Sequence, residues 1–290
     1  MRRLFLAGAL LAALLVPTSS AVAAPHHPTG EFAPFADCPL SKAEVTHCLY
    51  SRTTSGFLTL GAKTTPIVNP QVLQGGIKFN IADFSSVFFA AEDGNTLPKT
   101  PQPVPGGLLG ITAPTWWPKL LQDLFNETIN NGFTGVNGTM ELAGSASSIK
   151  INILNMLLEE GTSLSMPVKL KLENPFLGSS CYIGSNSSPI KLNLTTGTTS
   201  PPAPNTPISG TVGEMTENEA TTFSKITGNK QVDNSFSVPG ANGCGGILFS
   251  WAVDPFVNSI VGIPSAAGKN TAVLEGELLL GKKEAVIASE

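Results

Sequence analysis

Histidine is scarce in this chain and occurs only at His26, His27 and His47. The first two lie in the proline-containing stretch PHHPTG, so a Ser-His-Asp triad would have to use His47. His47 directly precedes Cys48, and the chain contains no G-x-S-x-G nucleophile motif. These residues do not predict a serine hydrolase of a known type.

Other catalytic pairs are equally weak. Ser147 and Lys150 have the Ser-x-x-Lys spacing of penicillin-binding enzymes, but here the lysine belongs to the strand-like run IKINI instead of a helix. Paired carboxylates are typical of glycosidases. The candidate carboxylates are the adjacent Glu159 and Glu160 and the group Glu214, Glu217 and Glu219. We interpret them as solvated loop charges, and we assign no catalytic residue.

Metal and cofactor motifs are also missing from the sequence. The CxxC spacing of zinc sites does not occur, and histidine is too rare to supply other ligands. Acidic and amide-rich loops would suit calcium, but no EF-hand or nonapeptide pattern identifies ligands. Neither a Walker loop nor a dinucleotide-binding fingerprint is present. The sequence therefore predicts no cofactor and no metal site.

The segment 1–23 predicts export from the cytoplasm. It combines a basic start, MRR, an apolar run, LFLAGALLAALLV, and the small-residue cleavage pattern AVAA, as a secretory signal peptide does. The apolar run is too short for a lasting membrane span, so we expect no transmembrane segment after cleavage. Cleavage after Ala23 removes two of the 17 basic residues and none of the 21 acidic ones, which leaves a net charge of −6. An acidic exported chain is not a general nucleic-acid binder.

The four cysteines, Cys38, Cys48, Cys181 and Cys244, predict two disulfide bonds, because an even number in an exported chain indicates oxidised pairs. Three connectivities are open. We favour Cys38–Cys48 with Cys181–Cys244, since the first two cysteines are close in sequence and share one segment.

The pattern of apolar residues predicts a mainly β protein, an antiparallel β-sandwich or barrel-like domain. Residues 24–44 read as an irregular N-terminal arm. From residue 45 to 290, short apolar runs alternate with Gly, Pro and Asn, which favours one compact β unit. Two β subdomains divided near 100–110 are the alternative. The Gly228-Asn229 pair predicts a hairpin turn.

Four runs share one alternating pattern: IKFNI from Ile77, IKINI from Ile149, VKLKL from Val168 and IKLNL from Ile190. Alternate side chains of a strand face opposite sides, so the apolar residues should line a core and the lysines should face water. Lys169, Lys171 and Lys191 then form a candidate patch for an anionic cell-wall polymer. The simpler interpretation, which we favour, is that these lysines keep strand faces soluble.

Two helices interrupt the β pattern, at about 116–131 and 255–261. Asp254 would be the N-cap of the second, with Pro255 in its first turn. Trp116 and Trp117 precede the first helix and are candidate contacts to a lipid interface or a ligand. The alternative, which we favour at this stage, is that they cover the core, as the apolar sides of amphipathic helices usually do.

Several stretches together resemble a known group of proteins: FADCP, TPQPVPGGLLGI, NPFLGSSCYIGS, LNLTTGTTSPPAPNTPISG and PSAAGKNTAVLEG. They are similar to uncharacterised secreted proteins of high-GC Gram-positive bacteria (actinobacteria). The resemblance covers most of the chain after the signal segment. It implies an exported bacterial protein with its cysteines in disulfides, and it implies no activity.

The sequence thus favours a secreted or cell-envelope-associated β protein that binds or supports other molecules and is not an enzyme. Expected partners are a cell-wall polymer, a lipid or another envelope protein. The first alternative is a secreted protein that binds an apolar ligand or lipid. The second is a secreted hydrolase whose residues meet only in three dimensions.

Overall fold

The computed structural model describes residues 26–80 and 85–290. The predicted signal segment 1–23 lies outside the described residues. The described chain forms two antiparallel sheets, each of seven strands, with a shared apolar core. The predicted mainly β class is confirmed, and the two open sheets correspond to a sandwich and not to a closed barrel.

The first sheet joins strands from both ends of the described chain. In spatial order it runs β11-β12-β14-β1-β3-β4, and β2 pairs with β1. The bounds are β1 His47–Leu60, β2 Lys63–Pro66, β3 Gln71–Phe79, β4 Ser86–Ala90, β11 Glu214–Asn218, β12 Phe223–Asp233 and β14 Thr271–Lys282. The two strands β1 and β14 lie at its centre, with Thr53 opposite Gly276.

The second sheet is built mostly from the middle of the chain. Its order is β13-β9-β8-β6-β5, and β7 and β10 also pair with β8. The bounds are β5 Pro101–Pro103, β6 Asn137–Leu142, β7 Lys150–Ile151, β8 Leu164–Glu173, β9 Tyr182–Ile183, β10 Ile190–Leu194 and β13 Ala241–Asn242.

The core follows from the alternation within the strands. In β10, Ile190, Leu192 and Leu194 are buried, whereas Lys191 and Asn193 between them are exposed. In β8 every second residue from Leu164 is buried in the same way. These side chains meet those of the first sheet in one apolar cluster, as two half-buried antiparallel sheets require.

In the part of the chain that the structure describes, four α-helices accompany the sheets: α1 Lys119–Asn130, α2 Ile153–Leu158, α3 Gly246–Val261 and α4 Lys283–Ala288. Short 3₁₀ turns lie at Gly30–Phe35, Gly107–Leu109 and Ala146–Ser148. Within the described ranges, no helix combines the length and hydropathy needed to cross a bilayer.

The predicted helix at 116–131 is present as α1, which begins at Lys119 after Pro118. The predicted helix at 255–261 is much longer and starts at Gly246. Asp254 is therefore not its N-cap. Its carboxylate instead accepts hydrogen bonds from the backbone N–H groups of Gly243 (3.2 Å) and Cys244 (2.7 Å). The apolar residues before Asp254, from Gly246 onward, are also helical.

Two local expectations are wrong for reasons visible in the backbone. Gly228 does not form a hairpin: β12 runs straight through it, and the register against β14 shifts between Thr227 and Asn229. The IKINI run forms only the two-residue β7, because Asn152 accepts a hydrogen bond from Asn155 N–H and caps α2.

Both favoured disulfides are present, Cys38–Cys48 and Cys181–Cys244. The first belongs to a second, smaller core, in which Phe32 and Phe35 of the N-terminal arm pack near Val286 of α4. The arm at 24–44 was expected to be irregular. In its described part, from His26 onward, it is held against the rest of the protein by this core and the disulfide.

Candidate functional site

A cavity lies between the two sheets, within the shared core. Its volume is about 120 Å³, and it opens in part to solvent. Protein interiors are packed as densely as organic crystals and contain few voids larger than a water molecule. A space of this size among core side chains is therefore a candidate ligand site.

The walls of the cavity are mainly apolar and come from both sheets. The walls include Leu58 and Leu73 from the first sheet and Met140, Met166, Leu170 and Leu172 from the second. All of these except Met140 are buried. Methionine is flexible and adapts to irregular apolar shapes, so the wall can adjust to the shape of a ligand.

Strand β8 shows how the sequence builds this wall. Its alternation sends Leu164, Met166, Leu170 and Leu172 into the cavity, whereas Val168 is buried in the core without lining it. The same alternation that predicts a core strand therefore produces a cavity wall when the opposite sheet stands far enough away.

Most polar side chains that line the cavity are already hydrogen-bonded to the protein. Gln102 Oε1 accepts from the backbone N–H of Val68 (2.9 Å) and Asn69 (3.0 Å). Gln231 Nε2 donates to Asn229 Oδ1 at 3.1 Å, and the Asn229 amide donates in turn to the protein backbone. These amides support the fold and add little polarity for a ligand.

Gln71 is different. Its Nε2 donates to Thr100 O at 3.0 Å, but its buried Oε1 has no hydrogen-bond partner among the described residues. Gln71 lines the cavity. An unpaired buried acceptor is costly, so a ligand hydroxyl or amide would be stabilised at this point.

The charged groups at the cavity are paired. Arg52 Nη1 lies 3.8 Å from Glu277 Oε1, and Lys225 Nζ lies 2.8 Å from Glu277 Oε2. Lys63 Nζ donates to the carbonyl of Gly110. The cavity therefore offers an apolar interior with compensated charges, which favours the uncharged part of a ligand.

A second feature of the molecule is an unusually apolar surface. We use the term helical face for the segment 106–118, α1, Phe133, Phe176 and α3. Its exposed large side chains are Leu109, Ile111, Trp116, Leu120, Leu121, Leu124, Phe133, Phe176, Ile247, Leu248, Phe249, Trp251 and Phe256. Ile247 is 99% exposed and Trp116 is 81% exposed. The expectation that Trp116 covers the core is therefore wrong.

Trp117 is less exposed than its neighbour because its ring packs edge-on against Phe125, with ring centroids 5.6 Å apart. Together with Leu121, Leu124 and Ile129 of α1, these rings line a shallow apolar groove on the surface. Helix α1 buries none of its residues, although its sequence is strongly amphipathic. Its apolar side thus faces out of the molecule.

The base of α3 is firmly held. The disulfide Cys181–Cys244 lies just before the helix, and the Asp254 carboxylate binds the backbone of Gly243 and Cys244 from within it. The C-terminal end is closed by Gly262, whose N–H donates to Asn258 O. The exposed apolar residues in the first turns of α3 are therefore held in a fixed position relative to the rest of the fold.

The predicted lysine patch lies on the outer side of the second sheet. Lys171 Nζ lies 3.0 Å from Glu173 Oε1, and this hydrogen bond holds the pKa of the Glu173 carboxyl below its usual value. Lys169 Nζ lies 3.9 Å from Glu141 Oε2 and 4.8 Å above the Tyr182 ring centroid. These partners offset the positive potential that an anionic polymer would need.

Lys191 lies on the adjacent strand β10, opposite Pro167, and is exposed. Lys150 of β7 shares the sheet, but Lys78 of β3 belongs to the other one. The lysines of the four alternating runs therefore do not form one row. Binding of a wall polymer by Lys169, Lys171 and Lys191 stays a prediction.

His47 shows no triad geometry. Its Nδ1 lies 2.9 Å from Thr46 Oγ1, and burial, followed by nearby Lys282, lowers the pKa of its imidazole. A surface depression beside it also contains Glu217 and Ser224. Within residues 26–80 and 85–290, however, His47 and Ser224 share no hydrogen bond. The same ranges contain no cluster of three or more His, Cys, Asp or Glu residues suited to a metal ion.

The cavity residues were missed in the sequence because inward-facing leucines look alike whether they pack or line a space. The apolar part of α3 carried a usable signal: GGILFSWAV contains no charge and is too apolar for a loop.

A comparison with protein-family profiles, curated proteins and solved structures finds no match for this chain.

Proposed function

We propose that this protein binds an apolar ligand between its two sheets and acts as a non-enzymatic binding protein outside the cytoplasm. The observation that carries the proposal is the apolar cavity, lined from both sheets by residues such as Leu73 and Met166. Each methylene group of a ligand buried there contributes about 0.8 kcal/mol. An apolar group that fits this space would therefore bind without any charged contact.

Two further observations support the proposal. Arg52 and Glu277 at the cavity are paired with each other, and the Lys63 ammonium donates to the backbone carbonyl of Gly110. Two disulfides are present, and such bonds persist in oxidising compartments. An envelope or extracellular location is consistent with both the disulfides and the predicted signal segment.

The test uses N-phenyl-1-naphthylamine, an uncharged apolar fluorophore, with the disulfide-intact protein. Met166→Trp places an indole in the cavity and should lower the affinity for the fluorophore at least about tenfold, because the space for one buried ring is lost. Leu73→Phe fills the space from the opposite wall and should weaken binding less. Ser165→Trp adds the same indole on the outer side of β8, where Ser165 is not a cavity residue, and is the matched control.

The proposal fails if the parent protein does not bind the fluorophore, or if Met166→Trp binds it as tightly as Ser165→Trp does. Native mass spectrometry of the parent protein provides a second readout. A co-purified mass released by denaturation and absent from Met166→Trp would support the cavity as its site.

A further inference from the structure

We propose that the helical face docks on the surface of a zwitterionic lipid bilayer. The starting observation is the exposure of side chains that normally avoid water: Ile247 is 99% exposed, Leu120 78% and Trp251 78%. Single exposed apolar residues are common, but a concentration of them on one surface indicates an interaction site.

The members of the helical face are neighbours in space. Segment 106–113 is bound to α1 through Gly106 N–H to Asn130 Oδ1 and Ala113 N–H to Asn126 Oδ1, both at 2.9 Å. On its other side, the position of Gly110 adjoins the side chain of Ile260 in α3. The exposed Leu109 and Ile111 therefore lie between the two helices.

A second connection runs from the C-terminal end of α1 to the N-terminal end of α3. The ring of Phe133, just after α1, lies 6.5 Å from that of Phe176, centroid to centroid. Two residues further on, Gly178 approaches the start of α3 at Gly246. The apolar side chains of α1 and α3 thus belong to one continuous surface.

Tryptophan content points to a lipid interface. The chain has three tryptophans, Trp116, Trp117 and Trp251, and all three lie on the helical face. Tryptophan is enriched at the boundary between lipid headgroups and hydrocarbon, where its ring is apolar and its N–H can reach water. Ile247 and Leu248 project beyond the protein surface and would enter the hydrocarbon layer.

Charge decides the kind of lipid. The stretches 106–134 and 244–262 contain only Lys119, Asp123, Glu127 and Asp254 as charged residues. Lys119 pairs with Asp123, and Asp254 is bound to backbone N–H groups. The net charge of these stretches is slightly negative, so anionic headgroups would not attract them. A zwitterionic bilayer surface, which has no net charge, suits these stretches, and binding of the protein to it should depend little on salt.

The helical face also adjoins the cavity. Lys63 and Val261 line the cavity, and each contacts the helical face: Lys63 Nζ donates to Gly110 O, and Val261 lies within α3. The bilayer would then be the source or destination of the apolar ligand. This connection rests on the proposed function, whereas docking itself does not.

The test measures partition of the disulfide-intact protein onto phosphatidylcholine vesicles by flotation, with tryptophan emission as a second readout. The parent should bind, its emission should shift to shorter wavelength, and raising NaCl from about 50 to 500 mM should change binding less than about twofold. Ile247→Asp with Leu248→Asp, and separately Leu120→Asp with Leu124→Asp, should each lower partition at least about tenfold.

Val87→Asp is the matched control, because Val87 is 55% exposed but lies on the edge strand β4, outside the helical face. All substituted side chains are exposed, so the variants should fold, which circular dichroism verifies. Partition of the helical-face variants equal to that of Val87→Asp overturns the proposal. So does binding that requires anionic lipid and disappears in salt.

A second copy of the chain is the competing occupant. Sedimentation velocity without vesicles tests it: a dimer that dissociates on Ile247→Asp with Leu248→Asp, together with no vesicle binding by the parent, would assign the surface to self-association and overturn docking. The two proposals separate through Met166→Trp, which should still bind vesicles. The Ile247→Asp/Leu248→Asp protein should still bind the fluorophore.

Discussion

The two disulfide bonds should contribute unequally to stability, because they close loops of different length. Cys181–Cys244 spans a sequence separation of 63 residues and Cys38–Cys48 one of 10. If the bonds act by restricting the unfolded chain, the longer loop contributes about 4.3 kcal/mol and the shorter about 2.7 kcal/mol at 25 °C. We therefore expect Cys181→Ala/Cys244→Ala to lose about 1.6 kcal/mol more than Cys38→Ala/Cys48→Ala.

The comparison is well matched. All four cysteines are almost completely buried, so replacement by alanine removes similar packing at each site and the difference reports mainly on loop length. Urea unfolding of both double variants and the parent at pH 7 measures the free energies. A loss at Cys38–Cys48 equal to or larger than that at Cys181–Cys244 would refute the reasoning from chain entropy.

Two further predictions concern single residues. Burial and, to a smaller extent, the nearby Lys282 lower the pKa of His47 below the ordinary value of 6.5, whereas Glu284 opposes this shift. The unfolded chain therefore binds this proton more readily than the folded protein does. The free energy of unfolding should fall as the pH drops below about 6.5. His47→Asn should flatten that part of the pH profile measured by urea unfolding, and an unchanged profile would contradict the assignment. A methyl group added at Gly276 would lie 1.9 Å from the Arg52 carbonyl oxygen, whereas one at Gly138 would meet nothing closer than 3.5 Å. Gly276→Ala should therefore destabilise the protein by about 1–3 kcal/mol more than Gly138→Ala does, and equal thermal shifts for the two variants would show that the β1–β14 contact can relax.

Alternation and turn residues predicted most strands because these signals are local. Ile190 to Leu194 alternate between core and solvent as their sequence requires. The hairpin predicted at Gly228-Asn229 is wrong because a hairpin turn and a bulge both place glycine at positive φ. Here β12 continues through Gly228, since β14 pairs with it on both sides of that residue. Only the distant pairing partner decides between the two outcomes.

Helix α3 shows the limit of reasoning from short apolar runs. Residues 246–253 have the hydropathy of a buried strand, and Asp254-Pro255 has the form of a helix start. The helix instead passes through Pro255 and its first turns face outward. Burial is set by neighbours that are remote in sequence, so exposure of Ile247 could not be inferred from the run itself.

The cavity could be predicted least. Alternation identifies Met166 and Leu170 as inward-facing, but the distance between the sheets depends on how all strands pair. Trp116 and Trp117 were candidate interface residues in the sequence, although a position covering the core was favoured for them. Trp116 is instead exposed on the helical face.

The central pairing of β1 with β14 has a consequence for the order of folding. The second sheet takes most of its strands from one continuous stretch, Pro101 to Leu194, and can assemble as soon as that stretch is available. The first sheet cannot be completed from one continuous stretch, because β1 pairs with β14 at Thr271–Lys282. Contacts between residues so far apart in the sequence form slowly. The sandwich is therefore completed only when β14 is available to pair with β1.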